Sequence, residues 1–310
     1  MPDKPSRSTR TFLNYLGVSA RGFCMGVADI VPGVSGGTMA FILGVYEELL
    51  EAIHAVNGKF LKLLFTFQIN KALDGFPYRF LLSLVSGIIL AIFSLARFFS
   101  WALSQHPVLV WAFFFGLVLA SIITIRVKVS DWTTTEVFAL VLATIIAFLV
   151  VSIAPLETTS APWFVFISGA IAICAMILPG ISGSFMLVLL GKYEFMLNSV
   201  VQYNFFPIII FASGGILGLV LFSRGLRWML INYHNPTVAF LIGLMVGSLR
   251  KIWPWKTTVE TYTDRHGIVK PLIQENILPV SFSGETLLAI GLGISGCALV
   301  LIIERFVTNK

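Results

Sequence analysis

One phrase occurs twice in this chain of 310 residues, each time inside apolar sequence: Val31-Pro-Gly-Val-Ser-Gly-Gly-Thr-Met39 and Leu178-Pro-Gly-Ile-Ser-Gly-Ser-Phe-Met186. At an offset of 147 positions, Pro32, Gly33, Ser35, Gly36, Met39, Leu43, Gly44, Tyr46 and Glu47 face Pro179, Gly180, Ser182, Gly183, Met186, Leu190, Gly191, Tyr193 and Glu194. Agreement that long at one fixed register is an internal duplication. It restricts the fold to two copies of one unit, each broken by proline and glycine where the flanking sequence asks for continuous helix. In a membrane protein, such interrupted segments at corresponding positions of two halves point to a transporter's binding site.

The membrane class follows from composition: 57% apolar residues, 12% charged residues and a mean hydropathy of +0.92 lie outside the range of soluble chains. Apolar runs of the required length, about 20 residues, fall around 80–99, 107–125, 136–154, 205–223, 236–249 and 285–303. Regions 11–56 and 162–200 each hold an apolar arm, the Pro-Gly-Ser-Gly break and a second arm. The second arms are short: from Met39 the uncharged run reaches only Glu47, roughly 12 Å of helix. A re-entrant hairpin, its non-helical break buried in protein at mid-depth, is therefore expected in each copy.

Charge placement orients the chain. With the N-terminus inside, most Lys and Arg fall on the inner side, while Arg250 and the Lys251, Lys256, Arg265 and Lys270 of the loop 251–284 that follows it lie on the outer side. The positive-inside rule thus predicts both termini in the cytoplasm. It also accounts for the net charge of +6 without a nucleic-acid partner. About three transmembrane helices plus one broken helix pair per half make an odd number of crossings, so the two repeats are expected to be inverted. The predicted architecture is an all-α polytopic membrane protein, with an N-terminal tail 1–10, membrane repeat 1 over 11–155 and membrane repeat 2 over 156–310. Inverted repeats give two related conformations, one open to each side. The later parts align loosely, Ser86-Gly87-Ile88 with Gly214-Gly215-Ile216, and Gly116-Leu117 and Ser121 with Gly243-Leu244 and Ser248.

At each break proline stops the incoming helix and glycine allows close approach. Ser35 and Thr38, or Ser182 and Ser184, add hydroxyls at a helix start. Free first-turn amides and the positive end of a helix dipole attract anions, each end contributing about 0.3–2 kcal/mol. Ser35, Gly36, Gly37, Thr38, Ser182, Gly183 and Ser184 are therefore the expected substrate-binding residues. The pairs Gly22/Gly26, Gly214/Gly218 and Gly243/Gly247 have the spacing of helix packing and are assigned to it.

Ionised groups inside an apolar arm cost about 2.5–3.5 kcal/mol, which makes Arg21 and Asp29 functional candidates. Arg21 is expected to meet a substrate phosphate or to pair with Asp29 or another carboxylate; Asp29 joins the candidates for gating or coupling. Neither has a charged counterpart in the second half, where Ser168 and Met176 align. Tyr46, Glu47, Tyr193 and Glu194 end the short arms and either gate and couple ions or cap and pair at the interface. The four histidines show no metal-ligand spacing, and Cys24, Cys174 and Cys297 read as small hydrophobes. The N-terminus reads as retained rather than as a signal peptide.

The stretch Ala28-Asp29-Ile-Val-Pro-Gly-Val-Ser-Gly-Gly-Thr-Met39, followed by Gly44-Val-Tyr-Glu47 and the second phrase to Met186, resembles the bacterial polyprenyl-phosphate transporter family, over nearly the whole chain. The resemblance implies flipping of undecaprenyl phosphate, the carrier lipid of cell-wall sugars, from the outer to the cytoplasmic leaflet of the inner membrane. Expected partners are that lipid and membrane lipids, with a homodimer as the candidate assembly and no nucleic acid. No cofactor or metal is expected. Without a phosphate-loop phrase, the driving force falls to protons, sodium, the membrane potential or the lipid gradient. A small-anion transporter or channel is the alternative. A serine hydrolase or lipid phosphatase at Gly33-Val-Ser35-Gly-Gly37 is a weaker one, because that motif needs a strand-to-helix turn and a base in reach.

Overall fold

The computed structural model describes residues 12–31, 34–153, 158–263, 269–279 and 283–308. Pro32 and Gly33, the tail 1–10 and the expected boundary between the repeats at 155 lie outside the described residues.

The chain runs through α1 (Phe12–Ile30), α2 (Gly36–Ile42), α3 (Tyr46–His54), α4 (Gly58–Phe65), α5 (Ile69–Leu73), α6 (Tyr78–Gln105), α7 (Pro107–Ile125) and α8 (Thr134–Ser152). It continues through α9 (Pro162–Ile177), α10 (Gly183–Leu189), α11 (Tyr193–Val201), α12 (Phe205–Asn232), α13 (His234–Ser248), β1 (Lys256–Thr263), β2 (Val269–Asn276) and α14 (Gly284–Thr308). Among the described residues five helices are long and apolar enough to cross a bilayer: α6, α7, α8, α12 and α14. Their starts follow local chemistry. Pro107 opens α7, where its missing N–H costs nothing, and Thr133 with Glu136 forms a capping box at α8.

The duplication reappears element by element. α1 and α9 lead to the breaks, α2 and α10 are seven residues each, and α3 and α11 are nine each. α6 and α12 are both 28 residues long. Seven residues rise only about 10 Å, a third of the hydrocarbon thickness, so neither α2 nor α10 completes a crossing. The turn after each is the same Schellman closure. Val45 N–H bonds to Ala40 O and Lys192 N–H to Leu187 O, with Gly44 and Gly191 at φ +69° and +61°. The chain bends by 107° between α10 and α11.

α1 packs on α6, and α9 on α12, through glycines. A Cβ on Gly22 would lie 2.0 Å from Leu84 O, and one on Gly169 2.2 Å from Phe211 O. Gly87 against Ser19 O and Gly214 against Phe166 O complete the matched contacts. Lipid tails are as apolar as leucine, so close backbone approach supplies the association. Gly22/Gly26, Gly214/Gly218 and Gly243/Gly247 all have this packing role. The structure shifts the later alignment by one residue, since Gly87 matches Gly214 by its contacts and not Gly215. The last helices are exchanged: α8 packs on α13, and α14 on α7.

The all-α expectation needs one correction. The loop after α13 carries an antiparallel hairpin, β1 with β2, running from Lys256↔Asn276 to Thr263↔Val269. Alternating β-branched residues in Lys-Thr-Thr-Val-Glu-Thr-Tyr-Thr favour the strand.

Candidate functional site

Ser35 caps α2 from the extended region (φ −123°, ψ 132°), and its Oγ accepts the Gly37 N–H at 3.1 Å. Asp29, near the end of α1, is carried against the same turn, where its Oδ1 accepts the Gly36 N–H at 2.8 Å. That approach needs a glycine, because a Cβ on Gly36 would sit 2.5 Å from Asp29 Oδ2. The Thr38 N–H bonds to Ser35 O at 2.9 Å. The expectation of free amides is thus corrected for the first copy: its helix start is filled by its own chain.

The second copy differs. Ser182 has a similar backbone (φ −97°, ψ 133°) but makes no side-chain cap bond; its Oγ lies 2.9 Å from Ser184 Oγ. Met176 stands where the first copy has Asp29. Among the described residues the amides of Gly183, Ser184 and Phe185 form no hydrogen bond.

The two breaks touch. Thr38 Oγ1 accepts the Gly180 N–H at 2.9 Å, and Ser35 Oγ donates toward Met176 O at 3.2 Å and Leu178 O at 3.4 Å. A Cβ on Gly37 would fall 2.5 Å from Ile177 O. Gly180, at φ +89°, turns the second break against Leu244, Met245 and Ser248 at the end of α13. Ser35 and Thr38 are each 1% exposed, whereas Ser184 is exposed. The centre is therefore sealed at the first copy and accessible at the second. Ser35 is buried and donates to main-chain carbonyls, so its oxygen is not poised as a nucleophile.

Among the described residues Arg21 makes no ion pair or hydrogen bond. The Arg21–Asp29 pair is not formed, since α1 separates the two by about two turns. Tyr46 is buried, its ring edge-on to Phe41 at 5.1 Å and its hydroxyl without a partner among the described residues; its counterpart Tyr193 is exposed. Glu47 and Glu194 occupy the first turns of α3 and α11, where the dipole favours an acid. Glu47 also lines a cleft with His234 and the Arg227–Glu51 pair, whose atoms are 3.6 Å apart.

Sequence reasoning counted three lysines only as loop charges. Lys251 follows α13, tied by its N–H to Ser248 O at 2.8 Å, and its Nζ lies 4.6 Å from the centre of the Phe185 ring in α10. Lys256 opens β1, its Nζ 4.4 Å from the Trp111 ring centre and bonded to Lys251 O. Burial pushes Lys251 down, and burial plus the neighbouring Lys251 charge pushes Lys256 down to about 7. In the other half Lys128, just past α7, lies 5.1 Å from the Phe41 ring centre in α2. Nothing in their spacing marks these residues; only the fold brings Lys251 and Lys128 each onto a short helix after a break, and Lys256 onto α7 beside Lys251. Among the described residues no group of three or more His, Cys, Asp or Glu is placed to hold a metal ion.

The undecaprenyl phosphate translocase-like family matches residues 25–270. The chain is 41% identical to a polyprenyl-phosphate transporter of Vibrio cholerae serotype O1, over 95% of this chain and 97% of that protein. It is 34% identical to a polyprenyl-phosphate transporter of Staphylococcus aureus, over 76% of this chain and 84% of that protein. No solved structure matches it.

Proposed function

Because the chain belongs to the undecaprenyl phosphate translocase-like family, we propose that it flips undecaprenyl phosphate from the outer to the cytoplasmic leaflet of the bacterial inner membrane. The observation that carries this reading is the meeting of the two breaks, Thr38 on Gly180 and Ser35 on Met176 and Leu178, at one polar centre inside an apolar bundle. A phosphate head needs such a centre, while its long tail stays in lipid beside the bundle.

In the conformation described, Ser182, Ser184 and the amides of Gly183 and Ser184 receive the head. Ser35, Gly36, Gly37 and Thr38 take the same part when the packing of the halves is reversed and Asp29 withdraws from Gly36. The matched α1–α6 and α9–α12 packing supports two inverted repeats that exchange roles in this way. Both α2–α3 and α10–α11 act as re-entrant pairs, and both termini are cytoplasmic. Glu47 and Glu194, with Tyr46 and Tyr193, are the residues through which protons or sodium couple. Arg21 serves the lipid phosphate on its way past α1.

The test is native mass spectrometry of the purified protein with undecaprenyl phosphate, undecaprenol and inorganic phosphate, beside a Ser182→Ala/Ser184→Ala variant. Preference for the phosphorylated lipid, weakened in the variant, is expected. Equal binding of undecaprenol would remove the head-group site, and tight binding of phosphate alone would favour a small-anion transporter.

A further inference from the structure

Lys251 and Lys256 are half-buried, and Lys256 Nζ reaches the main-chain carbonyl of Lys251. Among the described residues no carboxylate lies within ion-pair distance of either ammonium. Their faces are occupied instead by the rings of Phe185 and Trp111. Cation–π contact contributes about 0.5–2 kcal/mol, less than two like charges lose by leaving water without a counter-ion. Such an arrangement lacks an anion.

The position says which one. Lys251 sits one turn beyond Ser248, and Ser248 Oγ lies 3.0 Å from where a Cβ on Gly180 would be. Phe185 adjoins the exposed Ser184. The Lys251 ammonium therefore lies over the helix that follows the accessible second break, with Lys256 held beside it on the Lys251 carbonyl and over Trp111 of α7. We infer that Lys251 and Lys256 form a receiving site for a phosphomonoester, holding its head above Ser182 and Ser184 before it passes to the centre.

This rests on the reading that a lipid phosphate is the cargo, and it adds the residues that select it. A phosphomonoester carries about −1.5 to −2 charges near neutral pH, which two ammoniums match; a phosphodiester lipid carries one and leaves a lysine unbalanced. The exposed Lys128 over Phe41 is the corresponding contact at the first break.

The experiment uses the full-length protein in detergent, with ligand-induced stabilisation and native mass spectrometry as readouts. Probes are undecaprenyl phosphate, undecaprenol, phosphatidylglycerol and inorganic phosphate. Wild type is expected to prefer undecaprenyl phosphate over both other lipids. Lys251→Gln and Lys256→Gln should each weaken that binding on the order of tenfold, while leaving the ligand-free melting temperature unchanged or raised, because a repulsion is removed. Lys251→Arg with Lys256→Arg should retain binding. If wild type selects undecaprenyl phosphate and the double Gln variant binds it equally well, the lysine site is wrong. If the Gln and Arg doubles lose binding alike, or the Gln double melts lower, the lysines serve structure and the inference is overturned. Loss of selectivity against undecaprenol in wild type would instead sink the cargo reading. Inorganic phosphate bound as tightly as the lipid, and only with the lysines present, would keep the site and replace the lipid by a free anion.

Discussion

The hydroxyl of Thr38 accepts the N–H of Gly180 at 2.9 Å, joining the helix start of one repeated phrase to the turn of the other across 142 positions of sequence. Thr38→Val keeps the shape and leaves that buried amide unpaired, a loss of about 1–3 kcal/mol. Thermal unfolding in detergent should show Val well below wild type and Thr38→Ser close to it. Equal melting of Val and wild type would mean that the bond does not hold the breaks together.

Gly37 tests the closeness of the same contact. A Cβ there meets the carbonyls of Ile177 and Met176 at 2.5 and 2.8 Å, main-chain atoms with little room to move. Gly37→Ala should destabilise by about 1–3 kcal/mol. Gly225→Ala is the control: nothing lies within 4 Å of its new methyl, and helix propensity should make it neutral or stabilising by up to about 1 kcal/mol. Comparable losses at both sites would refute the geometry.

Asp29 supplies both an acceptor and a charge to the first break. Asp29→Asn keeps the acceptor for Gly36 and should preserve stability, whereas Asp29→Ala should cost about 1 kcal/mol. The Asn variant is also expected to bind undecaprenyl phosphate more tightly, because a negative charge beside the centre is gone. Weaker binding by Asn, read by titration, would show the acid to be a positive requirement for the cargo.

Binding should depend on pH with a defined sign. Lys256, held down to about 7 by burial and by Lys251, is an ammonium below that value and neutral above it. Anion binding favours the charged form, so affinity should fall as pH rises through about 7, and binding near that pH should take up protons. On the acid side the phosphate loses its second charge below about 6. The profile should therefore peak between these limits, and Lys256→Gln should flatten its alkaline limb. An alkaline limb unchanged in that variant would assign the titration to another group.

The spans and both breaks were legible because they rest on local signals: apolar length, and proline with glycine inside it. That the second arm stops short was legible from the charge at Glu47, while the turns that end α2 and α10 rest on Gly44 and Gly191. Less accessible was what the copies do differently. Asp29 opposite Met176 is visible in the alignment, but that its carboxylate fills the Gly36 amide depends on how sharply the chain folds back. The β1–β2 hairpin had a sequence signal in its alternating β-branched residues. Lys251 and Lys256 had none, since a lysine in a loop looks the same whether it faces water or Phe185.

The exchange of last helices bears on how the protein is made. A Cβ on Gly116 of α7 would lie 1.9 Å from Gly293 O of α14, so α7 finds this neighbour only after α14 has been synthesised. Domains generally fold in order of emergence from the ribosome; the α7–α14 contact departs from that order, because it joins a helix of the first half to the last helix of the second. Shortening the C-terminus therefore opens the interior of the part that was made first.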